Sequence, residues 1–183
     1  MPVSSDITAL LRQANGADPD VLSQVFSRLY DELRLLARSR LQGSEQTLTP
    51  TALVNETWLR LCGNEQALTL ESRRHFFASA AQAMRWIVID HARNQLAQRR
   101  GGAVVRLELD DELAADLRSE ELLALDGALD ALGKLDPARR QLVELRYFAG
   151  LEFEELAELT GKSSRTVKRE WASTRAVLYS LMA

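Results

Sequence analysis

The sequence predicts an all-α protein: two small helical domains joined by an acidic flexible linker, the C-terminal one containing a helix-turn-helix. Three observations lead there. Apolar residues recur at helical spacing over most of the chain, Gly and Pro punctuate that pattern, and no convincing pair of alternating strands interrupts it. After Gly101-Gly102 the period fades and acids accumulate. The expected divisions are 1–100, a linker over 101–120, and 121–183.

The elements follow in order. Val21, Leu22, Val25, Phe26, Leu29, Tyr30, Leu33, Leu36 and Ala37 keep a helical period after Asp18-Pro19, and Gly43-Ser44 breaks it. A second helix begins with Thr49 as N-cap and Pro50 at the first helical position. Its apolar stripe is Leu53, Val54, Trp58 and Leu61, and Gly63-Asn64 ends it. A polar connector leads to a third helix with Phe76, Phe77, Ala80, Ala81, Met84, Ile87, Val88 and His91 on one face. Aromatic residues at such spacing read first as core, and this applies to Phe76, Phe77 and Trp86. Helical patterning returns at Leu122, Leu125, Leu129 and Leu132, continues through Leu142, Val143 and Leu145, then through Phe153, Leu156 and Leu159, and finally Val167, Trp171, Leu178 and Leu181.

Composition narrows the functional classes. With 46% hydrophobic residues in 183, the chain has material for real cores. A single Cys, Cys62, excludes a disulfide framework and a Cys-ligated zinc module. No apolar run reaches the roughly 18 residues that a membrane span needs, and no signal peptide opens the chain, so the expected location is cytoplasmic, away from membranes. His75 and His91 lack partners at ligand spacing, and neither a phosphate-cradling loop nor a nucleophile elbow occurs. No enzyme, cofactor or metal is expected.

The net charge of −3 at first argues against nucleic-acid binding. It is an average over opposed blocks. Residues 73–100 carry six Arg against Asp90, and residues 162–175 carry five basic side chains against Glu170, whereas 101–130 hold nine acids and two Arg. Two basic stretches flanking an acidic one point to polyanion contact at two separated places.

The C-terminal stretch has its own internal logic. Ala157 allows close helix crossing, Gly161 supplies the positive φ of a turn, Val167 anchors a second helix, and Ser163 and Ser164 are ready caps. At about 100° per residue, Val167, Trp171, Thr174 and Leu178 cluster on one side of that helix. Arg165 and Arg169 fall opposite, flanked by Lys168 and Arg175, with Ser164 and Thr166 near the helix start. An apolar back and a basic front suit the major groove and its phosphates.

Taken together, these blocks resemble a bacterial RNA polymerase sigma factor of the extracytoplasmic-function (ECF) type. LDPARRQLVELRYFAGLEFEELAELTGKSSRTVKREWASTRAVL is similar to the family's region four, LVNETWLRL (53–61) to its region-two signature, and HFFASAAQAMRWIVIDHARNQLAQRRGG (75–102) to its regions 2.3–2.4. The resemblance implies binding to core RNA polymerase and the reading of two promoter elements. Ser164, Arg165, Thr166, Lys168, Arg169 and Arg175 would meet the −35 element. Arg73, Arg74, Arg85, Trp86, Asp90, Arg93, Asn94, Arg99 and Arg100 would meet the −10 element, and the connector 64–74 would capture a flipped base. Leu53, Val54, Asn55, Glu56 and Trp58 would contact the clamp helices of the largest polymerase subunit. The acidic linker would mimic nucleic acid in the polymerase cleft.

One departure stands out. The family's acids before LVNET are replaced here by Thr49, Thr51 and Ala52 in TLTPTALVNET. Phosphorylation of Thr51 by a Ser/Thr protein kinase would restore about −1.5 to −2 charges beside a helix N-terminus, with Thr49 and Thr47 as further candidates. An anti-sigma protein is the other candidate controller. The alternative reading is a free-standing helix-turn-helix regulator that binds duplex DNA as a dimer.

Overall fold

The computed structural model of the protein describes residues 23–30, 33–34, 48–62, 72–98 and 119–182, and all of their regular structure is helical. A helical stretch over 23–30 buries Val25 and Leu29. It is followed by α1 (Pro50–Cys62), α2 (Arg73–Gln98), α3 (Ser119–Leu135), α4 (Pro137–Val143), a π-helical turn (Glu144–Phe148), α5 (Phe153–Thr160) and α6 (Ser164–Met182). No helix among the described residues is long and apolar enough to cross a membrane.

Local chemistry sets the helix starts. The Thr49 hydroxyl accepts the Ala52 N–H at 3.1 Å, so Pro50 takes the first position, where a missing N–H costs nothing. Ser72 caps α2 in the same way through the His75 N–H at 3.2 Å. Asp136 accepts from both Ala138 and Arg139, and Pro137 opens α4. On α3, Glu120 and Glu121 in the first turn and Lys134 in the last complement the helix dipole. This helix starts at Ser119, so the last two residues assigned to the linker are already helical.

The regular helix expected through Leu142, Val143 and Leu145 instead loosens into a π turn. There the Ala149 N–H donates to the Glu144 carbonyl at 3.1 Å, five residues back. Gly150, at φ 74°, ends it, and the Leu151 N–H returns to the Leu145 carbonyl at 3.0 Å.

α2 is the hub. It packs against α1 on one side and against α3 and the π turn on the other, while α3 also packs on α4 and α6. About 39 Å long at 1.5 Å per residue, α2 buries Phe76, Phe77, Ala80, Ala81, Met84 and Ile87. Phe76 and Phe77 meet edge to face, with centroids 5.5 Å apart at 85°. The core runs on without a break into Leu125, Leu129 and Leu132 of α3 and Leu156, Val167 and Trp171 beyond. Thus helices from both sides of the expected linker share one apolar interior in the described chain.

Candidate nucleic-acid interface

The C-terminal helix pair is built as its spacing suggests. Gly161 takes φ 68° and closes α5, with its own N–H and that of Lys162 directed to the Ala157 carbonyl. Ser163 caps α6 by accepting the Thr166 N–H at 3.1 Å, while Ser164 is the first helical residue. Val167, Trp171, Thr174 and Leu178 are buried, so the back of α6 is the face deduced from the wheel. Arg165 and Arg169 are exposed and make no ion pair among the described residues. Lys168 reaches Glu154 at 3.3 Å, and the Ser164 hydroxyl donates to the same carboxylate at 3.1 Å. A hydrogen bond from its own backbone, then those from Ser164 and Lys168, hold the Glu154 carboxyl below its ordinary value. Lys162 pairs with Glu170 at 2.8 Å, and Arg175 is half-buried.

The second candidate surface lies on α2. Gln82, Trp86, Asp90, Arg93 and Asn94 are spaced along one face and are all exposed. Trp86 is 54% exposed, so of its two readings, core residue or −10 contact, only the second is compatible with its position. The Arg60 guanidinium lies over its ring, 5.4 Å from the centroid. Asn94 donates to Asp90 at 3.3 Å. At the other end of α2, Arg73 covers the Phe77 ring and Arg74 is exposed beside a cleft of about 290 Å³. Asp136, Arg139, Lys162 and Glu170 also line the cleft. Arg99, Arg100, Thr47 and residues 64–71 of the proposed base-capturing connector (64–74) lie outside the described residues.

Arg85 is placed differently from the rest of its set. It is 3% exposed and points into the α3 side of the molecule rather than toward solvent. Its Nε and Nη2 donate to Asp126 Oδ1 at 2.9 and 2.6 Å, Nη2 also to Asp130 Oδ1 at 2.7 Å and to the Asp126 carbonyl, and Nη1 to Glu144 Oε1 at 3.0 Å. The free Oδ2 of Asp126 takes Arg93 at 3.0 Å, and Arg140 Nε donates to Glu144 Oε1 at 2.8 Å. Three guanidinium groups thus meet three carboxylates, and the cluster is neutral. Burial alone would lower the Arg85 pKa, but hydrogen bonds to Asp130, Asp126 and Glu144 outweigh it and raise the value. Arg85 as a DNA contact is therefore not available in this arrangement.

α1 also sorts its candidates. Leu53 and Val54 are 1% and 0% exposed and belong to the protein's own core, which corrects their placement as partner contacts. Trp58 is half-buried against Phe26, with centroids 4.4 Å apart. Thr51, Asn55, Glu56 and Leu59 form the outer face, where Leu59 is 69% exposed. Sequence reasoning passed over Leu59. Its signal was available: eight residues from Thr51 and four from Asn55, it falls opposite Leu53, Val54 and Leu61 on the wheel. Asp126, Asp130 and Glu144 were also missed as specific partners. The first two were counted only as part of an acidic block, though their four-residue spacing puts both on one face of α3.

Comparison with known proteins adds a family. The family model described as ECF sigma factor matches residues 4–182. The chain is also similar to a Streptomyces coelicolor protein, the ECF RNA polymerase sigma factor BldN, with 24% identity over 166 residues. That match covers 90% of this chain and 61% of the relative, so the chain spans about three-fifths of the relative's length. No solved structure matches.

Proposed function

Because this chain belongs to the ECF sigma factor family, we propose that it acts as a promoter-specificity subunit, joining core RNA polymerase and directing initiation at promoters read by two separate surfaces. The observation that carries this reading is the two-sidedness of α6. Its apolar back is buried and its front presents Arg165 and Arg169, exposed and without an ion pair among the described residues, as a helix entering a major groove requires. The exposed stripe of α2 through Trp86, Asp90, Arg93 and Asn94 is assigned to the −10 element, with Trp86 as a stacking surface for an unpaired base. The outer face of α1, with Asn55, Glu56 and Leu59, is assigned to polymerase. Both roles are binding roles, and no bond of a substrate is made or broken.

Control by phosphorylation has geometric support. α1 has no acid in its first turn. The Thr49 hydroxyl is occupied as the cap, whereas Thr51, two positions on, is exposed. A phosphate on Thr51 would sit at the positive end of the helix dipole and supply the charge that a basic clamp surface calls for.

Run-off transcription from a library of linear genomic fragments, with reconstituted core and with or without kinase treatment, tests both points. Discrete transcripts that depend on this protein are expected, strengthened by kinase and lost from the kinase effect in Thr51→Ala. No transcript under any condition, together with dimeric binding of duplex DNA without polymerase, would overturn the sigma reading. Equal binding to core before and after kinase treatment would overturn the phosphate switch alone.

A further inference from the structure

The carboxylate of Glu154 bridges the two helices of the C-terminal pair. We propose that Glu154 is a positioning residue for base selection: without touching a base, it makes Ser164 a hydrogen-bond acceptor only and aims the Lys168 ammonium. This rests on the reading of α6 as the groove helix and deepens it. Glu154 stands in the first turn of α5, where the capping pair of Glu152 and Glu155 fixes the helix start. Its Oε1 accepts both the Ser164 hydroxyl at 3.1 Å and the Lys168 ammonium at 3.3 Å. Ser164 and Lys168 are four residues apart and so share one face of α6. The same ammonium lies 5.5 Å from the centre of the Phe153 ring. Phe153 in turn meets the buried Trp171 edge to face, with centroids 6.4 Å apart. Two neighbouring residues of α5 therefore hold Lys168, whereas Arg165 and Arg169 make no ion pair among the described residues.

The chemistry of the hydroxyl gives the arrangement its meaning. A serine can turn its proton toward an acceptor or its lone pairs toward a donor, so by itself it tolerates any base. Bonds from its own backbone, from Ser164 and from Lys168 hold the Glu154 pKa below the ordinary value, so at neutral pH the group is an anion that can only accept. With its proton committed to that anion, Ser164 offers the groove lone pairs alone. Lone pairs match the exocyclic amino groups of adenine and cytosine, and they oppose the oxygens of guanine and thymine. Lys168 keeps its other N–H bonds, which match the O6 and N7 edge of guanine. Glu154 also restrains that ammonium from turning to the nearest phosphate, a contact that carries no sequence information. Four residues of helix span about 6 Å, so the two side chains address positions within about two base steps of each other.

The test is a selection of duplexes carrying a randomised segment of about 50 base pairs, five turns of DNA. The full chain is used in two arms, assembled with core polymerase and alone, and the bound duplexes are sequenced. The wild type should prefer adenine or cytosine at one position and guanine at another close by, each by at least about fivefold. In Glu154→Ala both preferences should fall below about twofold, with guanine and thymine entering at the first position and the rest of the motif unchanged. Glu158→Ala makes the same change in net charge at an exposed acid one turn along α5 and should keep the wild-type motif. Ser164→Ala should relax the first position alone, and Lys168→Met the second alone.

Should Glu154→Ala fail to fold, Glu154→Gln asks the same question. It keeps the size of the side chain, but its amide can face Ser164 with a donor or an acceptor, so the first position should again relax. A motif left unchanged by the Glu154 variants overturns the inference. So does one blurred equally at every position, as a merely structural role would give, or one relaxed only where neither Ser164→Ala nor Lys168→Met acts. The two arms separate this outcome from the sigma reading. The expected pattern with the chain alone but not with core removes the sigma reading and leaves the inference standing. No motif for the wild type in either arm removes the groove reading of α6 and the inference with it.

Discussion

Two glycines on α3 should respond in opposite ways to the same substitution. Gly127 is exposed, and a methyl group built on it meets nothing within 4 Å. Gly127→Ala should therefore return the usual helix-interior preference for Ala, about 0.5–1 kcal/mol. At Gly133 the added carbon would lie 2.6 Å from Cδ of Arg140, the middle of that side chain rather than its tip. Arg140 must move, and its 2.8 Å bond to Glu144 goes with it. A hydrogen bond between charged groups contributes about 1.5–3 kcal/mol, so the Ala preference is outweighed and Gly133→Ala should destabilise by about 1 kcal/mol. With a urea slope of about 2 kcal/mol/M, the midpoint should rise by about 0.4 M in the first variant and fall by about 0.5 M in the second. Circular dichroism during urea titration measures both. In an Arg140→Ala background the Gly133→Ala penalty should vanish, since the clashing group is gone. A midpoint raised equally by both glycine substitutions in the wild-type background would refute this account of the α3–α4 contact.

Other outcomes follow from single sites. Phe77→Ala removes a ring that is 1% exposed and should cost about 3–5 kcal/mol in thermal or urea unfolding. Arg165→Ala and Arg169→Ala should each weaken duplex binding and flatten its salt dependence by about 1, with helix content unchanged. Glu154 has its folded-state pKa lowered from the ordinary value of 4.5, so its contribution is present above that value and disappears as pH falls through the lower, folded one. Acid titration of the unfolding midpoint should show this loss in the wild type, and Glu154→Gln should remove it.

How much was legible in the sequence depended on how many sides a helix presents to neighbours. α6 packs on one side only, so a 3.6-residue period sorted Val167, Trp171, Thr174 and Leu178 from Arg165 and Arg169 without further information. α2 is gripped on two sides, and periodicity fails there. Nothing local distinguishes Arg85, which meets acids 41, 45 and 59 residues further along the chain, from Arg93 on the outer stripe. The same limitation left Trp86 with two readings, core residue and −10 contact, until its exposure was seen. Leu53 and Val54 were rightly put on the apolar stripe of α1, but an apolar stripe says only that something covers it. Here the protein itself does. The π turn was hidden for a different reason: ELRYF contains no Gly or Pro, and the burial of Glu144 and Tyr147 within it has no local signature.

That turn makes the residue count of the C-terminal half as consequential as its residue types. A helix advances about 100° per residue, so one residue gained or lost changes which way everything downstream faces. Between Glu144 and Gly150 the chain holds its wider turn while pointing Glu144 at Arg85 and starting the approach to α5. Substitutions on its outer side leave that phasing intact. Removing a single residue from 144–148 would let the segment relax to an ordinary α-helix and turn the α5–α6 pair relative to α2, even with every contacting side chain still present. Variation among relatives at this point should accordingly be rich in exchanges and poor in insertions and deletions.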